Sequence, residues 1–137
     1  MSENPFRVLP RVTPQNQHFW RGGAEGKLQF LRCGPCGSYV HPPAPVCGRC
    51  LSKDLAPEAV SGRATVATFT LNHHPWVPSA DHPYVVAIVE IEEQPDVRLM
   101  TNIVGCPPEA VRIGMRVAVE FEEHEDVWIP VFAPVDA

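Results

Sequence analysis

Cys33-Gly34-Pro35-Cys36 and Cys47-Gly48-Arg49-Cys50 are two C-x-x-C units with 10 residues between them. Each unit puts two thiols on one tight turn. Two such turns facing one another aim four sulfurs at a single point, the tetrahedral set that Zn²⁺ takes. The segment between them carries Pro42, Pro43 and Pro45. Proline lacks the backbone N–H and clashes with the preceding helical turn, so no helix runs through that loop. This separates the pattern from a thioredoxin-like redox motif, where one C-x-x-C opens a helix after a strand. Two alternatives stay open: iron on the same four thiolates, and disulfides, which a chain with no visible secretory signal disfavours. With four protein thiolates the zinc shell is closed, leaving no position for water or substrate. The metal is therefore expected to be structural, one Zn²⁺ per chain. Structural zinc contributes on the order of 10–16 kcal/mol, so its removal is expected to disorder residues 27–55.

Outward from the cysteines, toward the N-terminus, Lys27 to Arg32 alternates apolar and polar and reads as a strand. Before it, Thr13-Pro14 is a helix start, Gln15 to Ala24 a short helix carrying His18, Phe19 and Trp20, and Gly26 its stop. Gly22 and Gly23 weaken that helix by roughly 1 kcal/mol each. Residues 1–12, with Pro5 and Pro10, form an extended arm. In the other direction, residues 51–60 read as a connector. Beyond Gly62 the pattern is β: Ala64 to Asn72, Tyr84 to Glu92, Arg98 to Gly105, Arg116 to Glu123 and Val127 to Ala133. The second of these is nearly all apolar, suiting a strand buried on both faces. Pro130 marks an edge or bulge in the fifth. One helical turn is expected at Pro107 to Val111.

The chain is therefore expected to be mainly β, with an N-terminal helix and zinc ribbon followed by a five-stranded OB-fold barrel. A β-sandwich or SH3-like barrel is the alternative. The expected units are the arm and helix over 1–26, the ribbon over 27–60 and the OB-fold over 61–137. The prolines, 16 in 137 residues, crowd into the arm, the ribbon loop and the loop between the first two barrel strands.

Composition excludes other classes. Hydrophobic residues at 45% and charged residues at 20% are ordinary for a globular chain. No run approaches the roughly 18 apolar residues of a membrane span, and the expected location is the cytoplasm. The net charge of -5 divides unevenly: residues 1–60 carry +3 and residues 61–137 carry -8. A strongly acidic barrel repels a phosphate backbone, so an OB-fold nucleic-acid-binding module is the weaker functional reading.

Several side chains could carry chemistry. His73, His74, Asp81 and His82 surround Trp76 in one loop, which reads as a Pro-stiffened docking loop in preference to a metal or proton-transfer site. Cys106 stands alone and reads as a small apolar residue. Glu120, Glu122, Glu123, Glu125 and Asp126 read as a solvated hairpin. Phe19 and Trp20 either pack on the barrel and ribbon or face another protein. There is no Gly-rich phosphate loop, nucleophile elbow or H-E-x-x-H motif, so no catalytic residue is expected.

The order of these segments resembles the family once labelled a domain of unknown function, which pairs a rubredoxin-like zinc ribbon with an acyl-CoA-associated OB-fold. The resemblance rests on Phe19-Trp20, Gly26-Lys27-Leu28, the four cysteines, Ser61-Gly62-Arg63, Pro83-Tyr84-Val85-Val86, Arg98-Leu99-Met100-Thr101-Asn102 and Ile113-Gly114-Met115-Arg116-Val117. It implies a non-catalytic accessory subunit of a thiolase-superfamily enzyme, either a lipid-transfer-type thiolase or an aldolase, that stabilises the complex and helps house the acyl-CoA. Some members pair instead with MaoC-like enoyl-CoA hydratases. On that footing Phe19, Trp20 and Trp76 are candidates for the partner interface and Arg63 for a coenzyme A phosphate.

Overall fold

Residues 7–74 and 83–135 are described, from a computed structural model. Thr13 and Asn16 open the ordered path with a reciprocal pair. The Thr13 N–H donates to Asn16 Oδ1 at 2.7 Å and the Asn16 N–H to Thr13 Oγ1 at 3.3 Å. The helix that follows, α1 (Gln17–Arg21), is shorter than its pattern suggested. The chain tightens into a 3₁₀ turn over Gly22–Glu25, closed by Gly26. Gly23 shows why. A Cβ there would strike the side chains of Trp128 and Phe121, the latter at 2.6 Å. The helix thus ends where the backbone presses on the barrel wall.

Strand β1 (Leu28–Cys33) is flanked by β2 (Tyr39–Val40) and β3 (Leu55–Val60) in a three-stranded antiparallel sheet of order β2-β1-β3. Strand β3 corrects the reading of 51–60 as a connector. It pairs with β1 along its whole length, from Leu28↔Val60 to Cys33↔Leu55. It lacks an apolar pattern because neither face is buried, and Pro57 is tolerated because β3 is an edge.

The remaining strands are β4 (Arg63–Asn72), β5 (Tyr84–Ile91), β6 (Gln94–Ile103), β7 (Arg116–His124) and β8 (Val127–Pro134). They close a barrel in the order β4-β5-β6-β8-β7, with a 3₁₀ turn at Pro108–Ala110 between β6 and β7. All pairings are antiparallel except β6 with β8, at Ile103↔Phe132. This is the five-stranded OB-fold. Strand β6 begins four residues earlier than expected and takes in Pro95, beside a register shift at Glu90/Ile91. Strand β5 is not buried on both faces. Val85, Ala87, Val89 and Ile91 are buried, and the residues between them are half-buried. Pro130 does not interrupt β8. It pairs with Phe121, and its carbonyl accepts the Thr101 hydroxyl at 2.9 Å.

One apolar core serves both sheets. Leu28 and Phe30 of β1 and Phe19 of α1 join Val66, Val89, Ile91, Val117 and Phe132 in a single cluster, with Cys106 packed at its margin. Polar clasps fix the ribbon further. The Tyr39 N–H donates to Gln94 Oε1 at 2.9 Å and Gln94 Nε2 donates to the Tyr39 carbonyl at 3.2 Å, while Arg49 pairs with Asp96 at 2.6 Å. The arm is pinned by Arg7. Its guanidinium grips Glu122 at 3.0 and 3.2 Å and donates to Asn102 Oδ1 at 2.6 Å. Glu122 is thus no part of a solvated hairpin; its side chain is only 14% exposed. Among the described residues no helix is long and apolar enough to cross a membrane.

Candidate metal centre

The two C-x-x-C units fold alike. In the first, the Cys33 N–H donates to the Ser38 carbonyl at 2.8 Å and the Gly37 N–H to the Cys33 carbonyl at 2.9 Å. In the second, the Cys47 N–H donates to the Ser52 carbonyl and the Leu51 N–H to the Cys47 carbonyl, both at 2.9 Å. Each turn needs a left-handed residue four places after its first cysteine, with φ 75° at Gly37 and 63° at Leu51.

These turns bring all four sulfurs within 4.8 Å of one another. The short approaches cross between the units, Cys33 to Cys50 at 3.4 Å and Cys36 to Cys47 at 3.6 Å. Zn–S bonds of about 2.3 Å in a tetrahedron demand S···S edges of about 3.8 Å, so the donor set fits zinc. A covalent S–S bond is about 2.05 Å, and the two short approaches are well beyond it, so the sulfurs sit as a converging set and not as bonded pairs. Cys33 and Cys47 are buried, and Cys36 and Cys50 reach the surface.

The thiols hold their protons unequally. The Ser38 hydroxyl and backbone N–H pull Cys36 down to about 6. The backbone N–H groups of Cys50 and Arg49 lower Cys47, the second at 3.4 Å from its sulfur. The Cys36 backbone also lowers Cys33, but burial and the surrounding thiols outweigh it and carry Cys33 up to about 12. Backbone donors already aimed at sulfur favour thiolate, the form a metal binds.

The other expected site residues do not gather here. Phe19, expected as a partner anchor, is only 4% exposed. Its ring packs against Trp20 at 4.8 Å, His41 at 4.9 Å and Phe30 at 6.0 Å, so in this chain it is a core residue. Trp20 is half-buried and lines an apolar groove of about 260 Å³ with Met100, Ile129 and Arg7. Arg63 is exposed at the start of β4. His73 and His74 are exposed just after β4, and Trp76, Asp81 and His82 lie outside the described residues.

His41 went unremarked in the sequence, and His18 was noted only beside Phe19 and Trp20 on the helix. His41 is wedged between Phe19 and Phe30, and burial with the nearby His18 lowers it to about 4. His18 is lowered by burial too. His18 Nε2 and His41 Nδ1 are buried with no hydrogen-bond partner. A lone histidine in a proline-rich loop carries no periodic signal, so only the fold exposes this pair.

Residues 20–56, which hold all four cysteines, match the rubredoxin-like zinc ribbon domain of ChsH2, and residues 57–122 match the ChsH2 C-terminal OB-fold domain. A chain of a solved structure titled "Ltp2-ChsH2(DUF35) aldolase" is 35% identical. It superimposes with a TM-score of 0.82 over 92% of this chain and 98% of its own length. A DUF35 domain-containing scaffold protein of Methanocaldococcus jannaschii is 38% identical over 98 residues, 70% of this chain and 68% of that protein. The chain belongs to the DUF35 family. This DUF35 chain is also similar to a probable enoyl-CoA hydratase alpha subunit of Thermomonospora curvata, 35% identical over 94% of the chain. The 3-oxo-4,17-pregnadiene-20-carboxyl-CoA hydratase alpha subunit of Mycobacterium tuberculosis is 34% identical over 93% of it. The chain spans only 40% of the length of either hydratase subunit.

Proposed function

We propose that this DUF35 chain is a non-catalytic accessory subunit of a thiolase-superfamily acyl-CoA enzyme of the lipid-transfer-type thiolase or aldolase kind, working in the cytoplasm. The carrying observation is the chain from the Ltp2-ChsH2(DUF35) aldolase structure that matches almost end to end, at 35% identity and a TM-score of 0.82. In this reading Cys33, Cys36, Cys47 and Cys50 hold one Zn²⁺ per chain. Bound there, the metal supplies cross-linking and no chemistry, because four thiolates fill its shell. The chain's own residues do the rest. The Gln94–Tyr39 clasp and Arg49–Asp96 set the ribbon's angle on the barrel. Trp20, with Phe19 as its buried support, and Trp76 are the proposed anchors toward the partner. Arg63 is the proposed contact to the acyl-CoA. The arm, ribbon and barrel (1–26, 27–60 and 61–137) are proposed as parts with separate tasks built on one core.

A second reading, a partner of a MaoC-like hydratase, is favoured by the two hydratase alpha subunits that match nearly the whole chain. Co-expression separates the two. The chain is produced with a thiolase-superfamily enzyme from its own genome and, separately, with a MaoC-like hydratase. A fixed-stoichiometry complex with the first is expected. Association with the hydratase alone selects the second reading, and association with neither defeats both.

A further inference from the structure

The four sulfurs of the ribbon tip are not equivalent. Cys36 and Cys50 are exposed, and Cys33 and Cys47 are buried. Each of the two short approaches joins an exposed sulfur of one unit to a buried sulfur of the other, Cys50 to Cys33 at 3.4 Å and Cys36 to Cys47 at 3.6 Å. A small solute in water therefore reaches one member of each pair. The second member stands in contact behind it, on the opposite turn.

The surrounding frame ties both turns down away from their sulfurs. Arg32 Nε donates to the Gly37 carbonyl at 2.9 Å, and the Gly34 N–H donates to the Asp54 carbonyl at 2.9 Å. The first unit is thus fastened to β1 and to the segment that leads into β3. The second is fastened to β6 through Arg49 and Asp96. The sulfurs are therefore converged at the moment the first of them reacts.

This is the arrangement that thiol oxidation uses. Susceptibility follows thiolate character and exposure, and a reversible outcome needs a second sulfur at hand to resolve the sulfenic acid. Cysteines that ligate a metal are deprotonated. The exposed members supply the accessible thiolates and the buried members the resolving ones.

We propose that the ribbon tip is a peroxide-sensitive modification site, in which Cys50 and Cys36 are oxidised and Cys33 and Cys47 resolve them as two disulfides that cross between the units. The Cys50 thiolate attacks one oxygen of hydrogen peroxide. The S–O bond forms as the O–O bond breaks, giving a sulfenic acid and a hydroxide that takes a proton from solvent. The Cys33 thiolate then attacks the Cys50 sulfur. The S–S bond forms as the S–O bond breaks, and the second hydroxide also leaves as water. Cys36 and Cys47 react in the same way. Each disulfide consumes one peroxide, which is reduced to two waters as the two sulfurs are oxidised. With all four thiolates consumed, nothing is left to hold a metal.

The pairing decides the consequence. Bonds within the units, Cys33 to Cys36 and Cys47 to Cys50, would close two small rings and leave the turns unlinked. Bonds across the units span from one turn to the other, as a bound metal does. Chelation and oxidation should therefore both release the metal and leave different ribbons. The chelated tip opens, and the oxidised tip stays closed on its disulfides. The proposal stands on the cysteine geometry and is independent of any partner enzyme.

The full chain, loaded with zinc, is treated with hydrogen peroxide, and Cys106→Ser is treated in parallel to remove the cysteine outside the cluster. Three readouts follow: zinc release to a colorimetric chelator, disulfide mapping of the unreduced chain, and hydrogen exchange at Gly37 and Leu51. Chymotryptic cleavage at Tyr39 of the denatured, alkylated chain separates the two units unless a bond crosses between them, and tandem mass spectrometry assigns the pairs. Complete loss of zinc is expected, with Cys33–Cys50 and Cys36–Cys47 bonds and both amides still protected. Dithiothreitol with added zinc should restore the starting state, and Cys106→Ser should match the parent chain. Any one of four results overturns the proposal. These are bonds confined within the units, sulfinic acids without disulfides, zinc retained at a peroxide excess that oxidises free cysteine, and amide protection lost as fully as after chelation.

Discussion

Phe132 and Cys33 are both shut off from water, at 0% and 1% exposure, yet their surroundings have little in common. Phe132 sits among Val89, Ile91, Val117 and Phe30, side chains drawn from both sheets. Cys33 sits among three other sulfurs. The barrel is held by burial of apolar surface and the tip of the ribbon by the chemistry of its donor set. The seam between these two modes does not fall at the sheet boundary. Leu28 and Phe30 belong to β1, the central ribbon strand, but they are buried in the barrel core. The ribbon therefore has a base that the barrel supports and a tip whose four sulfurs converge on one point.

Metal removal exploits this contrast most strongly. Structural zinc contributes on the order of 10 kcal/mol, and that contribution is expected to act on the tip. Chelation, or Cys36→Ser with Cys50→Ser, should release one zinc per chain and melt residues 33–53. The base, Leu28 to Arg32 with its β3 partners, should persist. This narrows the 27–55 span expected from sequence. Hydrogen exchange reads it directly. The amides of Gly37 and Leu51, now bonded to cysteine carbonyls, should lose protection while those of Val89 and Leu31 keep it. Loss of protection throughout the barrel would show that the two modes are not separable.

Core truncation tests the seam from the other side. Phe132→Ala should cost about 3–5 kcal/mol by urea unfolding of the zinc-loaded chain. Phe30→Ala is the informative partner. If the base of the ribbon belongs to the barrel core, it should cost a similar amount and lower the same cooperative transition. A Phe30→Ala variant that loosens only the ribbon would place the seam at the sheet boundary after all.

How much of this was legible in the sequence follows the same division. The convergence of the four cysteines was legible, because two C-x-x-C units at fixed spacing specify a geometry whatever lies between them. The barrel strands were legible to within a few residues, because positions such as Val117, Val119 and Phe121 recur with the period of a half-buried strand. Strand β3 was not, since a strand exposed on both faces has no pattern to show. Phe19 was misplaced for a related reason. An aromatic pair on a five-residue helix does not say which ring faces inward, and only the packing against Phe30 and His41 decides it. The Arg7–Glu122 clasp joins residues 115 apart in sequence, beyond any local signal.

The buried histidines give the comparison a pH dependence. His41 falls from 6.5 to about 4 in the folded chain, first through burial and then through His18. A histidine lowered on folding disfavours the protonated form, so the unfolded chain binds more protons between those values. Stability is therefore complete above about pH 6.5 and declines as the pH falls toward 4. The shift corresponds to at most about 3 kcal/mol. Thermal unfolding between pH 7 and 5, where the decline is already under way, should show a falling midpoint. His41→Phe, which keeps the ring between Phe19 and Phe30, should flatten that dependence. An unchanged slope in His41→Phe would assign the decline to other groups.

The smallest expected effect lies within the tip itself, where two turns of the same geometry use different residues. The left-handed position is Gly37 in one turn and Leu51 in the other, with φ 75° and 63°. An L-residue in that conformation costs roughly 1–2 kcal/mol, which glycine avoids. Gly37→Ala should therefore weaken zinc retention by about that amount, since the metal-bound state demands the strained angle. Leu51→Gly relieves the strain but frees the unbound chain, and glycine's larger conformational entropy offsets part of the gain. Its net effect should be under about 1 kcal/mol in the stabilising direction. Leu51 is 73% exposed, so little packing is lost. Competition with a chelator of known affinity measures both variants. If Leu51→Gly loses zinc more readily than the parent chain, the exposed leucine is doing something in the second turn that backbone geometry does not explain.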